Sequence, residues 1–174
     1  MSSTQLAALD ANDIAAFSTA DIAALGSKAI SGLSTAAIAA LSADQIAALS
    51  TASVTGLTTK QIDALSTGQI DSLLTKQVAA LSSTQVATLG TDVVASLSTA
   101  QIAALSTSGI AGLTTDQVEA LSTAQAEALT TAQVAALSST QLAALSADDI
   151  ATFSTADIAA IGSKAISGLS TAWL

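Results

Sequence analysis

LSTAQIAA, at residues 97–104, is one copy of an eight-residue pattern that repeats along the whole chain. Rows of eight residues counted from Met1 keep this pattern through 21 full octads and a last partial one, without an insertion or a deletion. We number the positions of each octad 1 to 8, so that Leu97 stands at position 1 and Ala104 at position 8. A period this short and regular predicts an array of stacked structural units.

Large apolar residues concentrate in two of the eight columns. Position 1 is Leu, Phe, Ile or Met in all 22 rows, and position 6 is Ile, Val or Leu in 21 rows, with Ala126 as the exception. Three large apolar residues stand in other columns: Leu74, Val93 and Trp173. We therefore expect positions 1 and 6 to form the core, and we expect these three residues to be exposed or half-exposed.

The composition excludes several classes of protein. Ser and Thr interrupt every octad, so no apolar run reaches the 18 or more residues of a membrane span. A net charge of −9 with four basic residues argues against a nucleic-acid partner. The N-terminus lacks the basic start and apolar centre of a cleavable signal. The chain has no Cys and no Pro, and the absence of Pro is compatible with a helical backbone.

Three periodic structures could carry the octad. In one continuous α-helix the apolar pair would rotate by roughly 80° per octad, so no fixed apolar face could form. In a β-strand, positions 1 and 6 would alternate between the two faces, and Ala at positions 7 and 8 fills strands poorly. The remaining structure is a short helix that begins again in every octad.

The residue types agree with a helix that begins at position 3. Position 2 is Ser, Thr or Asp in 18 of 22 rows, which are preferred N-cap residues. Position 5 is Gln in 11 rows and Asp in four, and Ser-x-x-Gln is the capping box, in which two side chains satisfy free backbone N–H groups at the helix start. Position 1 then packs against position 6 as a hydrophobic staple. The sequence predicts about 21 capped helices.

Helices this short must pack on their neighbours, because isolated helices below about 12–15 residues are marginal in water. We therefore predict an all-α solenoid that forms a single continuous repeat array over residues 1–174. The residue pattern does not define the number of octads per turn, for which three or four is assumed from the cross-section. Position 8 is Ala, Gly, Ser or Thr in every full row, so neighbouring backbones can approach closely there.

A longer, 136-residue repeat is superimposed on the octads. Residues 1–38 match residues 137–174 at 31 of 38 positions, which is a displacement of 17 whole octads. Neither end carries a polar capping repeat, so we expect an apolar layer at both ends and end-to-end association between copies of the chain. The candidate residues for self-association are Trp173, Leu174, Leu169, Leu74 and Val93.

The sequence offers few groups for chemistry. A nucleophilic Ser or Thr needs a base, and the chain has no His. The carboxylates at Asp10 and Asp13 and at Asp148 and Asp149 could bind Ca²⁺, but acids at helix starts are the simpler explanation. The hydroxyls at position 3 could meet ice, another ordered surface or a glycan. We expect no enzyme activity, no catalytic or metal site, no cofactor and no small-molecule substrate.

The octads LSTAQIAA and LTTAQVAA resemble the tandem octapeptide repeats of very large secreted or surface-attached bacterial proteins, which are often adhesin-like. The resemblance covers the whole chain and implies a structural role outside the cell or at its surface. The Gly- and Asp-rich nonapeptides that bind calcium in some such proteins are absent. The predicted function is therefore a fibre subunit or rigid spacer, and the alternative is a binding module that uses the Ser and Thr face.

Overall fold

The computed structural model describes residues 2–166, with the side chains of Lys164 and Ile166 left aside. This part of the chain contains 21 α-helices of four to six residues and no β-strand, so the predicted all-α fold is confirmed. None of these helices is long and apolar enough to cross a membrane. The chain forms two compact units, Met1–Leu81 and Ser82–Leu174.

The helices of the first unit are α1 (Ser3–Leu6), α2 (Ala11–Ala15), α3 (Thr19–Ala23), α4 (Ser27–Ile30), α5 (Thr35–Ala39), α6 (Ala43–Ala48), α7 (Thr51–Gly56), α8 (Thr59–Asp63), α9 (Thr67–Asp71) and α10 (Thr75–Val78). The helices of the second unit are α11 (Ser83–Thr88), α12 (Thr91–Ser96), α13 (Thr99–Ala104), α14 (Thr107–Gly112), α15 (Thr115–Glu119), α16 (Thr123–Glu127), α17 (Thr131–Ala136), α18 (Ser139–Ala144), α19 (Ala147–Ala151), α20 (Thr155–Ala160) and α21 (Ser163–Ile166).

Each helix begins at position 3, as the capping pattern predicts. In α13 the Ser98 hydroxyl accepts a hydrogen bond from Gln101 N (3.2 Å), and Ser98 N donates to Gln101 Oε1 (2.9 Å). Capping boxes of this kind recur in both units. At Gly26 and Gly90 the N-cap has no side chain to accept the bond, yet the helix still forms. The cap therefore stabilises the octad without being required in every row.

The chain turns from one helix to the next through two extended residues. After α13, Leu105 (φ −54°, ψ 135°) and Ser106 (φ −65°, ψ 159°) place the next helix start directly after the previous helix end. Leu105 N still donates to Ile102 O (3.2 Å). Within residues 2–166 no residue has a positive φ, so the turn needs no glycine.

Within each unit the helices stack as a solenoid. Helix α1 packs on α4, and the same step of three helices continues to α7 on α10. In the second unit α11 packs on α14, and the step continues to α18 on α21. Hydrogen bonds between successive windings join residues 28 to 31 apart, which is between three and a half and four octads. This value agrees with the assumed three or four octads per turn.

The two apolar columns form the core. Position-6 residues such as Ile38, Ile102 and Ile110 are fully buried, and position-1 residues such as Leu97 and Leu105 are 4% exposed. The exceptions lie in the first and last windings described, where Leu9, Phe17, Ile150 and Phe153 are half-buried and Ile158 is 45% exposed. The predicted core is therefore confirmed.

Position 8 is where successive backbones approach most closely. A Cβ added to Gly32 would lie 2.6 Å from Ser3 Cα, and a Cβ added to Gly112 would lie 2.6 Å from Ser83 Cα. Both contacts join position 8 of one helix to position 3 of the helix below. The restriction of position 8 to small residues therefore reflects packing between windings, as predicted.

Candidate functional site

Position 5 is the column that joins successive windings. Gln133 Oε1 accepts from Thr130 N (2.8 Å), which completes the capping box of its own helix. The Nε2 group of the same amide donates to Ile102 O (2.8 Å) and Leu105 O (2.7 Å) in the winding below. One side chain therefore serves the start of its own helix and the end of a helix about one turn earlier.

The same arrangement recurs in both units. Gln61 Nε2 donates to Ile30 O (2.9 Å) and Leu33 O (2.7 Å), and Gln141 Nε2 donates to Ile110 O and Leu113 O, both at 2.8 Å. The buried glutamines of this column are between 0% and 7% exposed: Gln45, Gln61, Gln69, Gln77, Gln85, Gln101, Gln117, Gln125, Gln133 and Gln141. We call this set the glutamine column.

The position-1 carbonyl explains why a donor is needed there. The carbonyls at the end of a helix have no partner within that helix. In the described part of the chain no backbone N–H donates to Leu105 O, which lies in the extended turn, whereas Ile102 O already accepts from Leu105 N. Because Leu105 is 4% exposed, its carbonyl needs a protein donor. Gln133 provides this donor, so the glutamine column supplies C-terminal caps to a fold that has no room for conventional ones.

Sequence reasoning missed this burial. The capping box accounts for the glutamine oxygen, and nothing in a single octad reveals a use for the amide nitrogen. The signal that could have revealed it is the preference for Gln over Glu at position 5, since a capping box accepts either residue. A column that needs a donor and an acceptor on one neutral side chain favours Gln.

Rows without Gln bond differently. Ser53 donates its hydroxyl to Leu25 O (2.5 Å), so a shorter side chain still reaches the winding below. Asp149 accepts from Ser146 N (2.9 Å) and Ser146 Oγ (2.6 Å), but an ionised carboxylate has no proton to donate downward. Ala37 is fully buried and has no polar group.

Two position-5 carboxylates have shifted acidity. The pKa of Asp21 is lowered, chiefly by the hydrogen bond from the Ser18 hydroxyl and then by the Ser18 backbone N–H. The pKa of Asp157 is lowered, chiefly by the Ser154 hydroxyl and then by the Thr131 hydroxyl, which donates to Asp157 Oδ1 at 2.7 Å. Both effects stabilise the charged form at helix starts, so these acids act as caps.

The residues predicted for self-association fall into three groups. Leu74 is 43% exposed, as expected, and its backbone N donates to Gln77 Oε1 (2.6 Å) as half of a capping box. The expected exposure of Val93 is wrong: Val93 stands at the buried position 5 and is 8% exposed. Leu169, Trp173 and Leu174 lie outside the described residues.

Acidic clusters and surface depressions are the remaining places where a site could form. No group of three or more acidic side chains is arranged to hold a metal ion within residues 2–166. One depression open to solvent, of about 340 Å³, is lined by Ala16, Phe17, Asp21, Ala24 and Leu25. Its one titratable side chain is already engaged by Ser18, so these residues form no acid–base pair.

The fold and the glutamine column define a class of tandem-repeat solenoids built from very short helices. The ALTTAQ repeat matches the chain at residues 14–51, 46–75, 56–91, 92–123 and 116–147, and the string ALTTAQ itself stands at residues 128–133. Since these segments span most of the sequence, the chain belongs to the ALTTAQ repeat family. No curated protein and no solved structure gives a significant match to the chain.

Proposed function

We propose that this chain is a structural, non-enzymatic repeat protein that acts as a rigid spacer or as a fibre subunit within a surface-associated protein. The observation that carries the proposal is the glutamine column. Each added octad brings its own cap, its own core pair and, where position 5 is Gln, its own donor to the winding below. Length can therefore increase without any new core. The resemblance to bacterial surface repeat proteins supports the location.

A spacer must hold a fixed distance. Spin labels on cysteines introduced at Ser108 and Ala156, both exposed at position 4 within the second unit, measure such a distance by pulsed electron paramagnetic resonance. The chain has no native Cys, so the labels are unambiguous. We expect one narrow distance distribution. A broad distribution under native conditions would contradict the spacer function.

A fibre subunit must also bind further copies, and the described ends of the two units support that form of the proposal. Ile158 is 45% exposed in α20, whereas Ile102 at the same octad position is fully buried. In the first winding Gln5, Asp13 and Asp21 are exposed at a position that is buried elsewhere. Position 6 forms the apolar contact between windings elsewhere in the array, so an exposed Ile158 supports a contact with a further copy.

Light scattering from micromolar to millimolar concentration tests this association. We expect the mean mass of the wild type to rise with concentration and to fall in Ile158→Asp. Ala159→Asp is the matched control, because it adds the same charge at an exposed neighbouring position. A strict monomer over the whole range would eliminate the fibre subunit and leave the spacer.

The alternative function is binding to ice, another ordered surface or a glycan through the hydroxyls of position 3. Position-3 residues such as Thr99 and Thr107 are exposed, which supports it. Against it, position 8 of one winding lies over position 3 of the next, as at Gly32 and Ser3, so the hydroxyls do not stack directly. An ice-recrystallisation assay of the wild type and of Thr99→Val separates the two functions. A spacer should not inhibit ice recrystallisation in either form, whereas an ice-binding protein should inhibit it less after the substitution.

A further inference from the structure

The glutamine column is interrupted in three successive octads near the end of the described chain. Position 5 is Asp149 in α19, Asp157 in α20 and Ala165 in α21. At the separation of 28 residues used throughout the column, these side chains lie over the carbonyls of Leu121, Leu129 and Leu137. We call the plane between these two sets of residues the seam.

The seam lacks the bonds that join the windings before it. Gln117, Gln125, Gln133 and Gln141 each donate to a position-1 carbonyl, from Leu89 O to Leu113 O. Within residues 2–166, Leu121 O and Leu129 O accept no hydrogen bond. Neither an ionised aspartate nor an alanine methyl can donate one.

The carboxylates also bring an unfavourable charge to the seam. Asp149 is 5% exposed, and within residues 2–166 its side chain bonds only to Ser146 in its own octad, so a buried carboxyl group faces the winding below without a partner there. In the bonded windings, position 5 also meets the backbone carbonyl of position 7 of the winding below, as Gln133 Nε2 meets Ala103 O (3.2 Å). The hydrogen bond from Thr131 Oγ1 to Asp157 Oδ1 (2.7 Å) crosses the seam at its accessible rim and offsets part of this effect.

We propose that the seam is the plane at which the solenoid opens first. The contact across the seam separates before the contacts that glutamine joins, and the bonded windings of α11–α18 stay stacked. The 136-residue repeat carries the same feature, since Asp13, Asp21 and Ala29 correspond to Asp149, Asp157 and Ala165. An array of such blocks therefore contains one weak plane every 17 octads. This inference depends on the fold alone and not on the proposed function.

Hydrogen–deuterium exchange of the whole chain, followed by mass spectrometry, tests the seam. In the wild type we expect amides in α19 and α20 to exchange about tenfold faster than those in α15 and α16. This factor corresponds to the loss of one or two hydrogen bonds at their net contribution to stability. Asp149→Gln restores donors to Val118 O and Leu121 O and keeps the cap on Ser146. It should slow exchange in α19 by about tenfold, the same factor.

Asp148→Gln is the matched control, because it removes the same charge from the same helix at an exposed position. It should leave exchange unchanged. The reverse change, Gln125→Asp, should create a second weak plane inside the bonded windings, with faster exchange in α16. Equal effects of the changes at residues 148 and 149 would overturn the proposal. No effect of Asp149→Gln would also overturn it, since fraying of the last winding would then explain the fast exchange.

Discussion

At the scale of the residue, the amide of Gln133 joins two windings through one side chain. Its oxygen accepts from Thr130 N, and its nitrogen donates to Ile102 O and Leu105 O. Replacing the nitrogen by an oxygen keeps the first bond and abolishes the other two. Glutamate is therefore the most informative substitution in this column.

Gln133→Glu should destabilise the fold by about 2–3 kcal/mol at pH 7, because two buried carbonyls lose their donor and face a carboxylate. The free energy of unfolding in urea, followed by circular dichroism, measures this loss. Gln5→Glu is the control, because Gln5 is exposed and its Oε1 accepts from Ser2 N (2.8 Å). The control should stay within about 0.5 kcal/mol of the wild type. Equal losses at the two sites would mean that the downward bonds contribute nothing.

The acidic caps predict a pH dependence. The pKa values of Asp21 and Asp157 are lowered in the folded chain because the charged form accepts hydrogen bonds, first from the hydroxyls of Ser18 and Ser154. A lowered folded pKa stabilises the fold above the unfolded pKa, and this contribution is lost as the pH falls through the folded value. The contribution of these two groups to the urea concentration at the unfolding midpoint should therefore be constant from pH 7 to about 5. It should decrease once the pH is below about 4. Asp21→Asn combined with Asp157→Asn should flatten that fall, and an unchanged slope would contradict the assignment.

At the scale of the element, a helix of four to six residues depends on its first turn. Ser98→Ala removes the acceptor for Gln101 N. This loss of the N-cap should cost about 1 kcal/mol. Ala103→Glu changes an exposed position of the same helix and should be nearly neutral. Urea melts compare the two variants, and if both lose the same stability, position 2 does not cap the helix.

Leu74 offers the opposite test, because an exposed leucine occupies a cap position. Gln77 N already donates to Leu74 O (2.8 Å), and Leu74→Ser adds the side-chain acceptor found at other N-caps. The change should raise the free energy of unfolding by about 0.5–1 kcal/mol. If Leu74 also contacts another copy, the same change should lower the mass measured by light scattering. A loss of stability in the monomer would show that the leucine side chain packs within the chain.

At the scale of the whole molecule, each winding depends on its immediate neighbours. Ile102 is fully buried, so the unpaired charge of Ile102→Asp should cost about 4 kcal/mol or more. Because windings contact only those next to them, we expect several octads around α13 to unfold together, with a corresponding loss of helical signal. Ala103→Asp, at the next residue and exposed, is the control. Wild-type helicity in Ile102→Asp would mean that position 6 does not face inward.

Local chemistry made much of this fold predictable. The start of each helix follows from caps within the same octad, and the core follows from two apolar columns. The burial of Gln133 did not follow, because the groups that it meets belong to the preceding winding and are distant in sequence. The capping box already explained the preference for Gln at position 5, so the sequence contained no separate indication that the Gln amide also donates to the winding below. The number of octads per turn depends on the angle between successive helices, and no residue type encodes that angle alone.

The separation of 28 to 31 residues between stacked positions is not a multiple of eight, and this limits how the gene can vary. Position 5 meets positions 6 and 1 of the winding below only while every intervening octad keeps its length. One added or lost codon would shift only the donors that lie within 28 to 31 residues after it, because the change then falls between each donor and its carbonyl, whereas a change of residue type affects one contact. A mutational library screened for folded protein should therefore retain many substitutions and almost no single-residue insertions or deletions between residues 33 and 145.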